Sequence, residues 1–157
     1  MNVLSDEDFA ARLAYELKML RREEPSFSPV KNDIRNLRGF ILGTELYDGG
    51  VFEIEIEIPR DYPYRPPKVR WLTNIWHPNI HNKNVCVGIL GKDWSPSNSL
   101  VDVIETLRIL LAAPNPNDPL NRQAARELRE NIDQFKTRVQ EHVSKHATWN
   151  KLSNKKK

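Results

Sequence analysis

The chain has 157 residues, 39% of them hydrophobic and 29% charged, with a net charge of +3. That profile fits one soluble domain large enough for a real hydrophobic core. It excludes a membrane span, because no apolar run approaches the roughly 20 residues that cross a bilayer. It also excludes an intramolecular disulfide, since Cys86 is the only cysteine.

The acidic start Met1-Asn2-Val3-Leu4-Ser5-Asp6-Glu7 lacks the basic and apolar stretches of a secretory signal. A reducing location, cytoplasmic or also nuclear, is therefore expected. Ser5 and Asp8 then read as an N-cap with an acidic first turn. Phe9, Leu13, Leu17 and Leu20 recur at helical spacing, with Arg12, Glu16, Lys18 and Arg21 around the rest of the barrel. The helix is expected to end near Glu24-Pro25. Short strands are predicted at 27–31 and 37–42, followed by a turn at Tyr47-Asp48-Gly49-Gly50.

The clearest strand is 52–58, where Phe52, Ile54, Ile56 and Ile58 alternate with Glu53, Glu55 and Glu57. That period of two predicts one buried and one charged face. Tyr62-Pro63-Tyr64-Arg65-Pro66-Pro67 then forms a stiff connection into a fourth strand at 68–72. Residues 73–99 carry no periodic pattern yet hold Ile75, Trp76, Ile80, Val85, Val87, Ile89, Leu90 and Trp94. So long an irregular segment is functional or disordered, and its apolar side chains predict an ordered loop. From Ser99 onward Leu100, Val103, Ile104, Leu107, Leu110 and Leu111 form one broad helical stripe. Pro114 to Pro119 breaks it, and two helices follow near 122–130 and 132–147. The fold class is α+β: an N-terminal helix, a four-stranded antiparallel meander, a long loop, a central helix and two C-terminal helices. A single domain is expected over 1–149, with a flexible basic tail at 150–157 that reads as solvated rather than nucleic-acid-binding.

The lone thiol in the long loop serves either packing or reactivity. His77, His81, Lys83 and Lys92 are the nearby groups that could activate it, but no protease signature surrounds it. The spacing of His77, His81 and Cys86 matches no standard zinc module, so no metal or cofactor is expected. His142 and His146, one helical turn apart, read as a surface pair.

Taken in order, Tyr62-Pro63-Tyr64-Arg65-Pro66-Pro67-Lys68-Val69, Ile75-Trp76-His77-Pro78-Asn79-Ile80, Val85-Cys86, Trp94-Ser95-Pro96 and Pro114-Asn115-Pro116-Asn117-Asp118-Pro119-Leu120 resemble the ubiquitin-conjugating enzymes. The resemblance runs from about residue 9 to 147. It implies that Cys86 accepts ubiquitin or a ubiquitin-like modifier from an activating enzyme as a thioester. The modifier would pass to a substrate lysine, usually with a RING-type or cysteine-type ligase, in a monomeric carrier. The alternative is a non-enzymatic, modifier-binding variant or scaffold of the same fold.

The resemblance also implies roles. Asn79 would donate to an oxyanion or brace the loop, and Asp118 would orient the incoming amine or shape its turn. His77 and Pro78 would build the loop, and His81 falls at the lysine pocket. Tyr64, Pro96 and Ser97 fall on the ligase-binding loops, and Arg12 on the surface for the activating enzyme. Three departures stand out. The segment between Ile80 and Cys86 is about one residue short, Gly88 replaces a frequently polar or acidic residue, and the turn before Gly49-Gly50 is short and lacks its usual prolines.

Overall fold

The computed structural model describes residues 2–152. Its first element is α1, Asp6–Glu23, capped by the Ser5 hydroxyl, which accepts from the Asp8 N–H at 3.1 Å. Asp6, Glu7 and Asp8 in the first turn and Arg21 and Arg22 in the last complement the helix dipole. The buried stripe is Phe9, Leu13, Glu16 and Leu20. Glu16, expected on the outer face, is thus a correction: it is only 1% exposed, because the spacing 9, 13, 16, 20 puts it in line with the apolar residues.

Four antiparallel strands follow in the order β1 (Ser28–Val30), β2 (Asp33–Leu42), β3 (Val51–Glu57) and β4 (Lys68–Trp71). β2 begins four residues earlier than its apolar pattern indicates. Lys31 and Asn32, both at positive φ, turn the chain in two residues, so pairing starts at once with Val30 opposite Asp33. Leu37, Gly39 and Ile41 lie opposite Ile56, Ile54 and Phe52, and Ile54 pairs onward with Trp71. This is the core face. Gly39 is required there, since a Cβ would come within 2.4 Å of the Phe27 ring.

The opposite face departs from the expected row of solvated glutamates. Glu53 is only 4% exposed. Glu55 is held by Arg38 at 2.8 Å and Arg70 at 3.5 Å from the two neighbouring strands. Opposite charges directly across a sheet support each other.

The irregular segment is ordered, and it contains a small hairpin that periodicity does not reveal. β5 (Ile80–His81) pairs with β6 (Asn84–Val85) through Asn82 and Lys83, both in the left-handed region. A single 3₁₀ turn at Gly88–Leu90 follows. Ser99 and Asp102 form a reciprocal capping box at the start of α2, Leu100–Ala112. Its six stripe residues are all buried, in one cluster with the inner sheet face and α1.

Helices α3 (Arg122–Glu130) and α4 (Ile132–His146) complete the order. The expected tail begins inside structure: Trp149–Lys151 form a 3₁₀ turn, Trp149 packs edge-on against Phe40 at 5.2 Å, and Leu152 is buried. The remaining tail positions, 153–157, lie outside the described residues. No described helix is long and apolar enough to cross a membrane.

Candidate active site

The segment leading to the thiol is fixed from within. His77 is fully buried and stacks on Tyr47 at 5.4 Å. Its Nδ1 accepts the Asn79 backbone N–H at 2.9 Å, so the ring proton sits on Nε2, which donates to the Leu110 carbonyl at 3.0 Å. Burial lowers its pKa to about 4 against a small opposing effect of that carbonyl. The imidazole is therefore neutral, with both nitrogens occupied. It cannot act as a base toward the thiol or as a metal ligand in this arrangement.

Pro78 is buried, and its carbonyl accepts the N–H groups of Leu120 at 2.9 Å and Asn121 at 3.0 Å. Asn79, 3% exposed, closes a reciprocal pair with the Asn115 backbone. Its Nδ2 donates to Asn115 O at 2.8 Å, and its Oδ1 accepts from Asn115 N at 2.9 Å. The Asn79 carbonyl in turn accepts the Cys86 N–H at 2.9 Å. One asparagine thus couples the loop after α2 to the backbone of Cys86. The Cys86 side chain itself is exposed.

Asp118 lies on the same α2–α3 loop, exposed and at φ +55°. It borders an open groove of about 420 Å³ with Pro116, Asn117 and the arginines Arg122, Arg126 and Arg129. His81 is exposed on β5, in register with Asn84. Asn79 and Cys86 are thus joined by a bond, and Asp118 shares a loop with Asn115.

Tyr64, Pro96 and Ser97 are all exposed, and the two loops that carry them are tied together. Trp94 Nε1 donates to the Pro63 carbonyl at 2.8 Å, and the Tyr62 and Trp94 rings lie 5.7 Å apart. Arg12 is part of this tie rather than a free cation. It donates to the carbonyls of Pro96 at 3.2 Å and Asn98 at 2.8 Å, pairs with Glu16 at 3.4 Å, and covers the Tyr62 ring. Glu16 also accepts from the Tyr62 hydroxyl and from the Leu100 N–H at 3.1 Å. Burial, and then the Glu16 charge, push the Tyr62 hydroxyl far above its usual pKa, so it remains a donor. Sequence reasoning missed this cluster, although the position of Glu16 on the buried stripe was the available signal.

Among the described residues no group of three or more His, Cys, Asp or Glu side chains could hold a metal ion. His142, expected at the surface, is half-buried. It donates to the Arg138 carbonyl at 2.9 Å and packs between Trp76 and His146.

Comparison with known proteins gives this geometry a setting. The family model for ubiquitin-conjugating enzyme matches residues 10–143. Ubiquitin-conjugating enzyme E2 13 of Schizosaccharomyces pombe is 34% identical over 142 residues, covering 87% of this chain and 96% of that protein. Human ubiquitin-conjugating enzyme E2 K is 39% identical over 144 residues, covering 84% of this chain and 72% of that protein. The solved E2 domain of a Toxoplasma gondii ubiquitin conjugating enzyme superposes with a TM-score of 0.83 at 36% identity, covering 88% of this chain and 99% of that one. Sequence, fold and relatives agree, and the chain belongs to the ubiquitin-conjugating enzyme family of acyltransferases.

Proposed function

We propose that Cys86 accepts ubiquitin, or a ubiquitin-like modifier, from an activating enzyme as a thioester and passes it to a substrate lysine with the help of a ligase. The observation that carries this reading is an exposed thiol whose backbone is anchored through Asn79 to a second loop. Such a site suits a nucleophile whose electrophile arrives already activated. The thiolate attacks the incoming thioester carbonyl, and the tetrahedral intermediate expels the activating enzyme's thiolate. No general base is needed, because free thiols retain a few per cent thiolate at neutral pH and are intrinsically very nucleophilic.

Asn79 contributes first by bracing, with one amide N–H on Asn115. Its second N–H is the group left to meet an oxyanion. We assign the orienting of the amine to Asp118, whose exposure on the neighbouring loop supports that role. Tyr64, Pro96 and Ser97 offer an exposed aromatic beside a proline edge, which suits a ligase anchor. We assign Arg12 to holding that edge, because its donors are engaged there. We place the chain in a reducing location, cytoplasmic or nuclear, which would keep such an exposed thiol free.

The test is incubation with ATP, an activating enzyme and candidate modifiers, followed by a non-reducing gel. A reductant-sensitive adduct is expected with the native chain and none with Cys86→Ala. No adduct with any modifier contradicts the reading and favours a non-enzymatic scaffold.

A further inference from the structure

Val87 is fully extended, with φ −153° and ψ 144°. One extended residue between them sets positions 86 and 88 roughly 7 Å apart at the usual rise per residue. Position 88 has no side chain, and the space is taken from elsewhere. A Cβ on Gly88 would lie 2.0 Å from Asp93 Oδ2 and 2.9 Å from its Cγ. The backbone holds Asp93 there, because the Gly88 carbonyl accepts the N–H groups of both Gly91 and Asp93 at 2.9 Å. Asp93 is exposed, and no hydrogen bond or ion pair among the described residues engages its carboxylate.

A negative group two residues from the thiol does nothing to promote a thiolate, which it repels. Its value lies in the second step, where the acceptor arrives as an ammonium. We infer that Asp93, folded over Gly88, is a second carboxylate, beside Asp118, that receives the substrate lysine at the Cys86 thioester. The inference rests on the thioester reading above. In the step it serves, the lysine nitrogen forms the amide C–N bond and the C–S bond breaks. Of the two protons the ammonium loses, one leaves to solvent by way of the carboxylate and the other returns to the departing Cys86 thiolate. Gly88 is then a functional glycine, since any side chain there would displace the acid.

The test is single-turnover discharge of preloaded protein to free L-lysine and, separately, to 2-mercaptoethanol. Asp93→Asn is expected to slow discharge to lysine at least tenfold while discharge to the thiol stays within twofold of native. Asp93→Glu should recover part of the lysine rate. Gly88→Ala, whose methyl evicts the carboxylate, should reproduce the lysine-specific deficit. Equal rates to lysine in native and Asp93→Asn protein would overturn the inference, as would an equal loss toward both nucleophiles, the mark of a merely structural turn. Failure of the native chain to load at all contradicts the thioester reading instead, so the two failures are distinguishable.

Discussion

Protonating His77 would put a charge on a ring whose nitrogens already serve Asn79 and Leu110 inside the core. The folded chain resists it: burial holds the pKa near 4, whereas in the unfolded chain the ring titrates near its ordinary value of about 6.5. Above that value neither state binds the proton, and the full stability is present. As pH falls from about 6.5 toward 4, only the unfolded chain takes it up, so stability is lost on acidification. The expected loss is about 2 kcal/mol at pH 5. Urea unfolding at pH 7 and pH 5 should show it, and His77→Gln should remove that part of the slope. If both proteins show the same slope, His77 is not a buried neutral ring. At this scale the sequence was informative through resemblance. Ordered motifs single out Cys86, His77, Asn79 and Asp118 as candidates. The Asn79–Asn115 pairing spans 36 positions, and Asp93 reaches back over Gly88; neither contact leaves a local pattern.

Between elements, Glu16 is a polar junction where α1, the proline-rich segment and the first turn of α2 meet on one buried carboxylate. Glu16→Ala would leave the Tyr62 hydroxyl and the Leu100 N–H without their acceptor, at a cost of about 2–4 kcal/mol. A shift in the urea midpoint with an unchanged slope measures it; a loss below 0.5 kcal/mol would mean that water replaces the carboxylate. The elements that periodicity revealed are those with a long apolar repeat: the alternation of Phe52, Ile54 and Ile56, and the stripe of α2. Elements shorter than one repeat escaped it. β5 and β6 have two residues each, and their pairing depends on left-handed Asn82 and Lys83. The early start of β2 likewise comes from a turn, at Lys31 and Asn32, rather than from hydrophobicity.

Across the whole molecule, one framework holds both the thiol and the exposed edge of Tyr64, Pro96 and Ser97. The thiol is held through Asn79 and the α2–α3 loop, and the exposed Tyr64, Pro96 and Ser97 edge is held through Arg12, Trp94 and Glu16. Arg12→Ala should therefore weaken ligase-stimulated discharge several-fold while changing ligase-free discharge less than twofold. Slower loading by the activating enzyme with an unchanged ligase response would instead return Arg12 to the surface for that enzyme. Intact-mass spectrometry of the loading reaction tests the proposed thioester on Cys86 most directly. The expected product is one modifier added with loss of one water, removed by a small thiol from the native chain. The same mass on Cys86→Ser should resist thiol and yield to mild base, as an ester does. A native adduct that survives thiol, or maps to a lysine while Cys86 remains free, would contradict the account.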